Sequence, residues 1–204
     1  MKIGILGAAT VGQFLARRLA DAGHDVVIAN SRGPESLRGL IPQLGSRVVA
    51  GHVADVLDSP VVILGVPWTR VRDVLTPEID WHGRVLIDAT NIFLSYAPAF
   101  DVDDLGEDSG SEIVARLAPS ARVVKAFNTL PIEVMFAPLR GDGLRRVLFV
   151  AGDDAEAVCV VEQLVADVRL CPIPIGSLAI GGRLMQLGGP LNGLELFSAC
   201  NDRE

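Results

Sequence analysis

The turn Gly7-Ala8-Ala9-Thr10-Val11-Gly12 constrains this chain more than any other stretch. It stands between the apolar run Lys2–Leu6, which reads as a strand, and residues 11–22, which read as a helix. Phe14, Leu15 and Leu19 share one face of that helix, and Arg17, Arg18 and Asp21 fall mostly elsewhere. A glycine directly after a strand permits a tight turn, and a second one lets the helix pack closely on the sheet. The backbone N–H groups at the helix start then point toward any anion placed there. The next apolar run, Asp25–Ala29, closes a strand–helix–strand unit. Two strands joined by a helical crossover lie parallel.

The same alternation continues along the chain. Pro34 starts a predicted helix over residues 35–44, followed by a short strand over 47–50. Strands are expected over 61–65 and 84–88, with a helix over 69–75 between them. Strands over 122–127 and 146–151, a helix over 154–165 and a last strand over 168–172 follow. The fold class is therefore α/β, a doubly wound, mostly parallel sheet of the Rossmann type. Half of the residues are hydrophobic, mostly Val, Leu, Ile and Ala, and mean hydropathy is +0.39, which suits strands buried on both faces. Residues 1–174 are expected to form the nucleotide-binding domain. Residues 175–204, rich in Gly and Leu, are expected as a C-terminal appendage that packs on the domain or at a dimer interface.

Asn30-Ser31-Arg32 ends the second strand, about 20 residues after the glycine turn, where a dinucleotide-binding unit meets the adenosine ribose. An acidic residue there would accept the 2′-hydroxyl of NAD. A neutral Asn30, a hydroxyl and a guanidinium suit a 2′-phosphate instead. These residues point to NADP(H), although taken alone Ser31 and Arg32 would read as a solvated turn before Pro34. Ala9 stands where a middle glycine is usual, and its methyl crowds the approach of a pyrophosphate.

Other candidates sit at strand ends, where ligands bind in open α/β sheets. Val66, Pro67 and Trp68 follow the fourth strand, and Asn91 follows the fifth. Trp68 suits either the face of a nucleotide ring or a half-buried helix start. Asn91 suits a ribose or carboxamide, or an ordinary turn. Asp101, Asp103, Asp104 and Glu112 imitate a calcium loop, but Leu105 cannot ligate, so a solvated acidic loop is expected and no metal. Ser109 and Glu112 also match a capping box for a following helix. His24, His52 and His82 are scattered and read as turn or surface residues. Cys159, Cys171 and Cys200 show no metal spacing and read as three reduced thiols.

A net charge of -7 and a pI near 5.0 disfavour a nucleic-acid partner. No apolar stretch approaches the roughly 20 residues that span a bilayer. A cytoplasmic protein is expected, with a small-molecule substrate, no nucleic acid and no membrane.

Three motifs resemble the bacterial branch of the coenzyme F420-dependent NADP oxidoreductase family: Asn30 to Leu37, Val123 to Thr129, and Gly181-Gly182-Arg183 through Leu191. The chain is also similar to the cytosolic domains of metalloreductases that pass hydride from NADPH to a flavin. The resemblance implies NADP held by a Rossmann domain, with coenzyme F420, FMN or FAD as the hydride acceptor; a homodimer is also expected. It implies that Ala8, Ala9, Thr10 and Val11, between the cofactor-site glycines Gly7 and Gly12, face the pyrophosphate, and that Ser31 and Arg32, beside Asn30, face the 2′-phosphate. Val66, Pro67, Trp68 and Ala126 would lie along the nicotinamide side, with Asn91 and Asn128 near them. Ala9 and the tail from Gly188 depart from the family pattern. No catalytic residue is named, because hydride transfer between stacked rings depends on proximity more than on acid–base groups. Reduction of a small carbonyl or imine, and a non-catalytic NADPH sensor, are the alternatives. The glycines of residues 175–191 further suggest a close approach to an acceptor ring.

Overall fold

The computed structural model describes residues 1–96, 98–139 and 143–199. Strand β1 (Lys2–Leu6) leads into helix α1 (Thr10–Asp21) and strand β2 (Asp25–Ala29). Short helix α2 (Ile41–Leu44), strand β3 (Val48–Ala50) and helix α3 (Val53–Leu57) follow. The chain then crosses back to strand β4 (Val61–Leu64), which lies beside β1. Helix α4 (Val71–Val74), strand β5 (Val85–Asp88), helix α5 (Gly110–Leu117) and strand β6 (Arg122–Lys125) continue outward. These six strands are all parallel, in the order β3-β2-β1-β4-β5-β6. The expected doubly wound α/β architecture is thus present, and the winding reverses between β1 and β4.

After helix α6 (Ile132–Met135), strand β7 (Arg145–Gly152) runs antiparallel to β6. Helix α7 (Ala155–Asp167) returns the chain to strand β8 (Cys171–Pro174), parallel to β7. Helix α8 (Gly181–Met185) and the two-residue strand β9 (Phe197–Ser198) complete the described chain, with β9 paired to β7.

The central strands are covered on both faces. Ile3, Ile5, Val61, Ile63, Val85 and Ile87 join one core with Leu15 and Leu19 of α1 and Val161 and Leu164 of α7. Their neighbours Leu6, Val62, Leu64 and Leu86 join the other, with Val56, Val71, Trp81 and Val114. Successive side chains of a strand point to opposite faces, so a strand buried on both sides needs an unbroken apolar run.

Three boundaries differ from expectation. The helix predicted over 35–44 is two pieces, a single 3-10 turn over Pro34–Leu37 and α2. Gly39 lies between them, and Pro42 has no N–H to continue a helix ladder begun upstream. The helix predicted over 69–75 likewise begins with a 3-10 turn, Trp68–Arg70. The last strand starts at Cys171 rather than Val168. Helix α7 runs on to Asp167, and Arg169, at φ 64, turns the chain while Leu170 N donates to Val165 O at 3.1 Å. The Ser109–Glu112 capping box is formed: Glu112 N donates to Ser109 Oγ at 3.1 Å, and Ser109 N donates to Glu112 Oε2 at 2.7 Å.

Candidate functional site

A cleft of about 740 Å³ opens where β1 and β4 part. Gly7 shapes its floor. At φ 110 it turns the chain out of β1, and its N–H donates to Ala29 O at 2.9 Å. A Cβ on Gly7 would lie 2.4 Å from Gly65 O, and one on Gly12 would lie 1.9 Å from Gly7 O. Both positions therefore exclude any side chain, and α1 starts hard against the end of the sheet. Ala9 is the N-cap residue, with extended backbone. Its methyl is exposed, so the local turn accommodates it without strain. No side chain caps α1 and its first turn holds no acidic residue. The first N–H groups of an α-helix lack intrahelical acceptors, and the helix dipole makes this end positive.

The end of β2 forms the next wall. Asn30 lines the cleft, and its amide also organises the turn. Asn30 Nδ2 donates to Ser36 Oγ at 2.9 Å, and Asn30 Oδ1 accepts from Arg32 N at 2.9 Å. Gly33, at φ 83, completes the bend. This leaves Ser31 and Arg32 exposed on the cleft. The Arg32 guanidinium has no ion pair among the described residues, whereas nearby Arg38 is paired with Glu35. The walls after β4 are Val66, Pro67 and Val74, together with Arg70 and Asp73, which the sequence reading did not single out.

The structure does not bring every expected residue to this cleft. The Trp68 ring is buried in the second core, and its Nε1 donates to Asp103 Oδ2 at 2.7 Å. Ala126 is buried in the first core. Asn91 and Asn128 lie together at the ends of β5 and β6. Asn128 Nδ2 donates to Asn91 Oδ1 at 3.1 Å and to Met185 O at 2.8 Å, while Asn91 Nδ2 donates to Asn128 O at 3.0 Å. The pair thus ties the sheet to α8. Asn128 Oδ1 is buried without a partner among the described residues.

Beneath this pair lies a buried ion pair that sequence reading missed. Lys125 Nζ lies 3.0 Å from Asp88 Oδ2 and donates to Thr90 O at 3.1 Å. Ser111 Oγ donates to Asp88 Oδ2 at 2.5 Å, and Thr90 Oγ1 to Asp88 Oδ1 at 2.7 Å. Burial raises the Asp88 carboxyl, but the Lys125 ammonium and the Ser111 and Thr90 hydrogen bonds outweigh it and hold the group below the usual carboxylate range. A charged residue closing an apolar strand was the available signal: Asp88 and Lys125 both do so.

Several remaining features find structural explanations. His24 is buried rather than superficial, with Nε2 3.1 Å from Asp167 Oδ2, a carboxylate distant in sequence. His82 pairs with nearby Asp80 at 3.1 Å. In the acidic loop, Asp103 serves Trp68, Asp101 accepts from Ser95, and Asp104 from Gly106 N. Cys159 is free and exposed, but Cys171 is disulfide-bonded, which corrects the expectation of three reduced thiols; Cys200 lies outside the described residues. Two of the C-terminal glycines are packed too tightly for a side chain. A Cβ on Gly181 would lie 2.7 Å from the Ala151 methyl, and one on Gly189 2.4 Å from Arg183 O. A second cleft, of about 750 Å³, is lined by Arg18, Phe136, Arg146 and Asp167. Two of its arginines are engaged, Arg18 with Phe136 O and Arg146 with Glu195. No helix among the described residues is long and apolar enough to cross a membrane.

Comparison with known proteins agrees with this geometry. The family described as NADP oxidoreductase, coenzyme F420-dependent, matches residues 2–92, the span that carries the glycine turn, the end of β2 and the β4 wall. Rat metalloreductase STEAP3 is 32% identical over 179 residues, which is 87% of this chain and 34% of that protein. The chain thus spans about a third of that relative's length. A hypothetical protein from Sinorhizobium meliloti is 41% identical, with a TM-score of 0.88 over 97% of this chain and 96% of the other. A proposed F420-dependent NADP reductase from Arthrobacter sp. FB24 is 29% identical, with a TM-score of 0.70 over 87% of this chain and 86% of the other. The glycine-tight β1–α1 turn, the acid-free end of β2 and these likenesses agree, and residues 2–92 belong to the coenzyme F420-dependent NADP oxidoreductase family.

Proposed function

We propose that the protein is an NADP(H)-dependent oxidoreductase that exchanges hydride between NADPH and a ring acceptor, either the deazaflavin coenzyme F420 or a flavin. The observation that carries this reading is the cleft itself. An uncapped helix N-terminus and the guanidinium of Arg32, which has no ion pair among the described residues, line one cavity at the reversal of the sheet. In open α/β sheets ligands bind at such a reversal.

The residues present fit NADP(H). Gly7 brings backbone to the cleft surface, and Gly12 lets α1 start hard against it with no side chain in the way. The α1 N–H groups would hold the pyrophosphate. Ser31 and Arg32 would hold the 2′-phosphate, the guanidinium by a paired, charge-assisted contact. Val66 and Pro67 offer an apolar wall that keeps water from the ring. NADP(H), when bound, supplies the hydride chemistry, which proximity rather than a proton donor controls. Asp88 and Lys125 neutralise each other in the interior, and no acid–base role is assigned to them.

The test is steady-state oxidation of NADPH with a panel of coenzyme F420, FMN, FAD and ferric acceptors. Turnover with a deazaflavin or flavin is expected. NADPH binding with no turnover of any acceptor would overturn the enzymatic reading in favour of a sensor. Reduction of small carbonyls or imines alone would overturn the ring acceptor.

A further inference from the structure

One wall of the dinucleotide cleft is not used by that reading. Arg70 ends the 3-10 turn after β4 and lines the cleft together with Val53 and Val74. Val53 is 39% exposed at the start of α3, an apolar group left on the cavity surface. Apolar side chains give a phosphate no hydrogen bonds, and taking an anion out of water without partners is unfavourable. They suit a flat, weakly polar ring. Arg70 matches them. Its side chain is 69% exposed and is held through Nη1, which lies 2.9 Å from Asp73 Oδ2. A guanidinium bonded through an edge N–H keeps its flat face available for stacking. Asp73, itself on the cleft, offsets the local positive charge and would repel a phosphate.

We propose that Arg70, oriented by Asp73, stacks on the adenine base of the dinucleotide, with Val53 and Val74 supplying apolar contact. The proposal rests on the dinucleotide reading above and adds the residue that recognises the base. Arg70 is a positioning contact for the cofactor, distinct from Arg32, which reads the 2′-phosphate.

Stacking on the base is blind to the 2′-phosphate, which gives the test its signature. NADPH and NADH are titrated into the parent, Arg70→Ala and Arg70→Lys by calorimetry, with thermal unfolding midpoints as the check on folding. Arg70→Ala should weaken both cofactors by the same factor, about two- to thirtyfold. Arg70→Lys keeps the charge but loses the plane, and should fall with Arg70→Ala. Loss confined to NADPH would make Arg70 a phosphate ligand and overturn the proposal. Parent affinity in Arg70→Lys, or no change in Arg70→Ala, would overturn it as well. If the parent binds neither dinucleotide, the reading beneath the proposal falls, and the proposal with it.

Discussion

At the carboxyl ends of β1 and β2, several polar groups are left without side-chain partners among the described residues, whereas at the ends of β5 and β6 almost every one is taken. The α1 N-terminus has no side-chain cap, and Ser31 and Arg32 are exposed. By contrast, Asp88 is fully buried with Lys125, Thr90 and Ser111 around it, and Asn91 and Asn128 bond each other and α8. The difference follows from burial. A group in contact with water can wait for a ligand at little expense, since water satisfies it meanwhile. A buried charge must be paired inside the protein, because an uncompensated one costs several kcal/mol. The open end exposes an uncapped helix start and a guanidinium, the groups the proposed function gives to an anion, and the closed end is the frame that ties the sheet to α5 and α8.

Lys125→Met tests the closed end and should have the largest effect. It leaves Asp88 buried without its cation, and a loss of about 3–5 kcal/mol is expected in denaturant unfolding at neutral pH. An unchanged midpoint would mean that the pair is not structural. The parent should also show the pair in its pH dependence. Asp88 has a depressed carboxyl, so its stabilisation is fully present above the unfolded value of about 3.9 and is lost as pH falls toward the folded value. Urea unfolding from pH 6 to pH 3 should reveal that acid slope, and Lys125→Met should flatten it.

Gly12→Ala comes next and joins the two properties that the comparison separates. Its Cβ would lie 1.9 Å from Gly7 O, so α1 must shift away from the sheet. Overpacking of this kind costs about 1–3 kcal/mol. Thermal unfolding should show that loss, and NADPH titration should show binding fall by more than the stability change alone explains. Retained affinity would mean that the helix start does not serve the cofactor.

Arg32→Ala should leave stability within about 0.5 kcal/mol, as an exposed site without an ion pair among the described residues. It should weaken NADPH by about tenfold or more, from losing a charge-assisted contact of about 1.5–3 kcal/mol, and leave NADH nearly unchanged. Equal loss for both cofactors would remove the phosphate from Arg32. Ala9→Gly has the smallest expected effect. The residue is exposed and extended at φ -85, so NADPH affinity should stay within about threefold of the parent. Improvement beyond about tenfold would show that the methyl obstructs the pyrophosphate.

The strand–turn–helix start, the βα alternation, the acid-free end of β2 and the Ser109–Glu112 cap could all be read from the amino-acid sequence alone. Each depends on residues that are close along the chain: a positive φ at Gly7, a capping hydroxyl three residues before its partner, a run of β-branched side chains. The sequence by itself therefore determined the fold class and which side chains stand at the open end of the sheet. The closed half was decided by tertiary structure, because its partners come from distant elements. Lys125 reaches Asp88 across 37 residues, Asn128 reaches Met185 across 57, and His24 meets Asp167 across 143. The orientation of Trp68, which periodicity left open between ring contact and core, was settled by Asp103 and the space beside Gly110. A local pattern shows which side chain is available. Only the packed sheet brings its partner within hydrogen-bonding distance or keeps it away, since burial and pairing depend on neighbours that no short stretch of sequence contains.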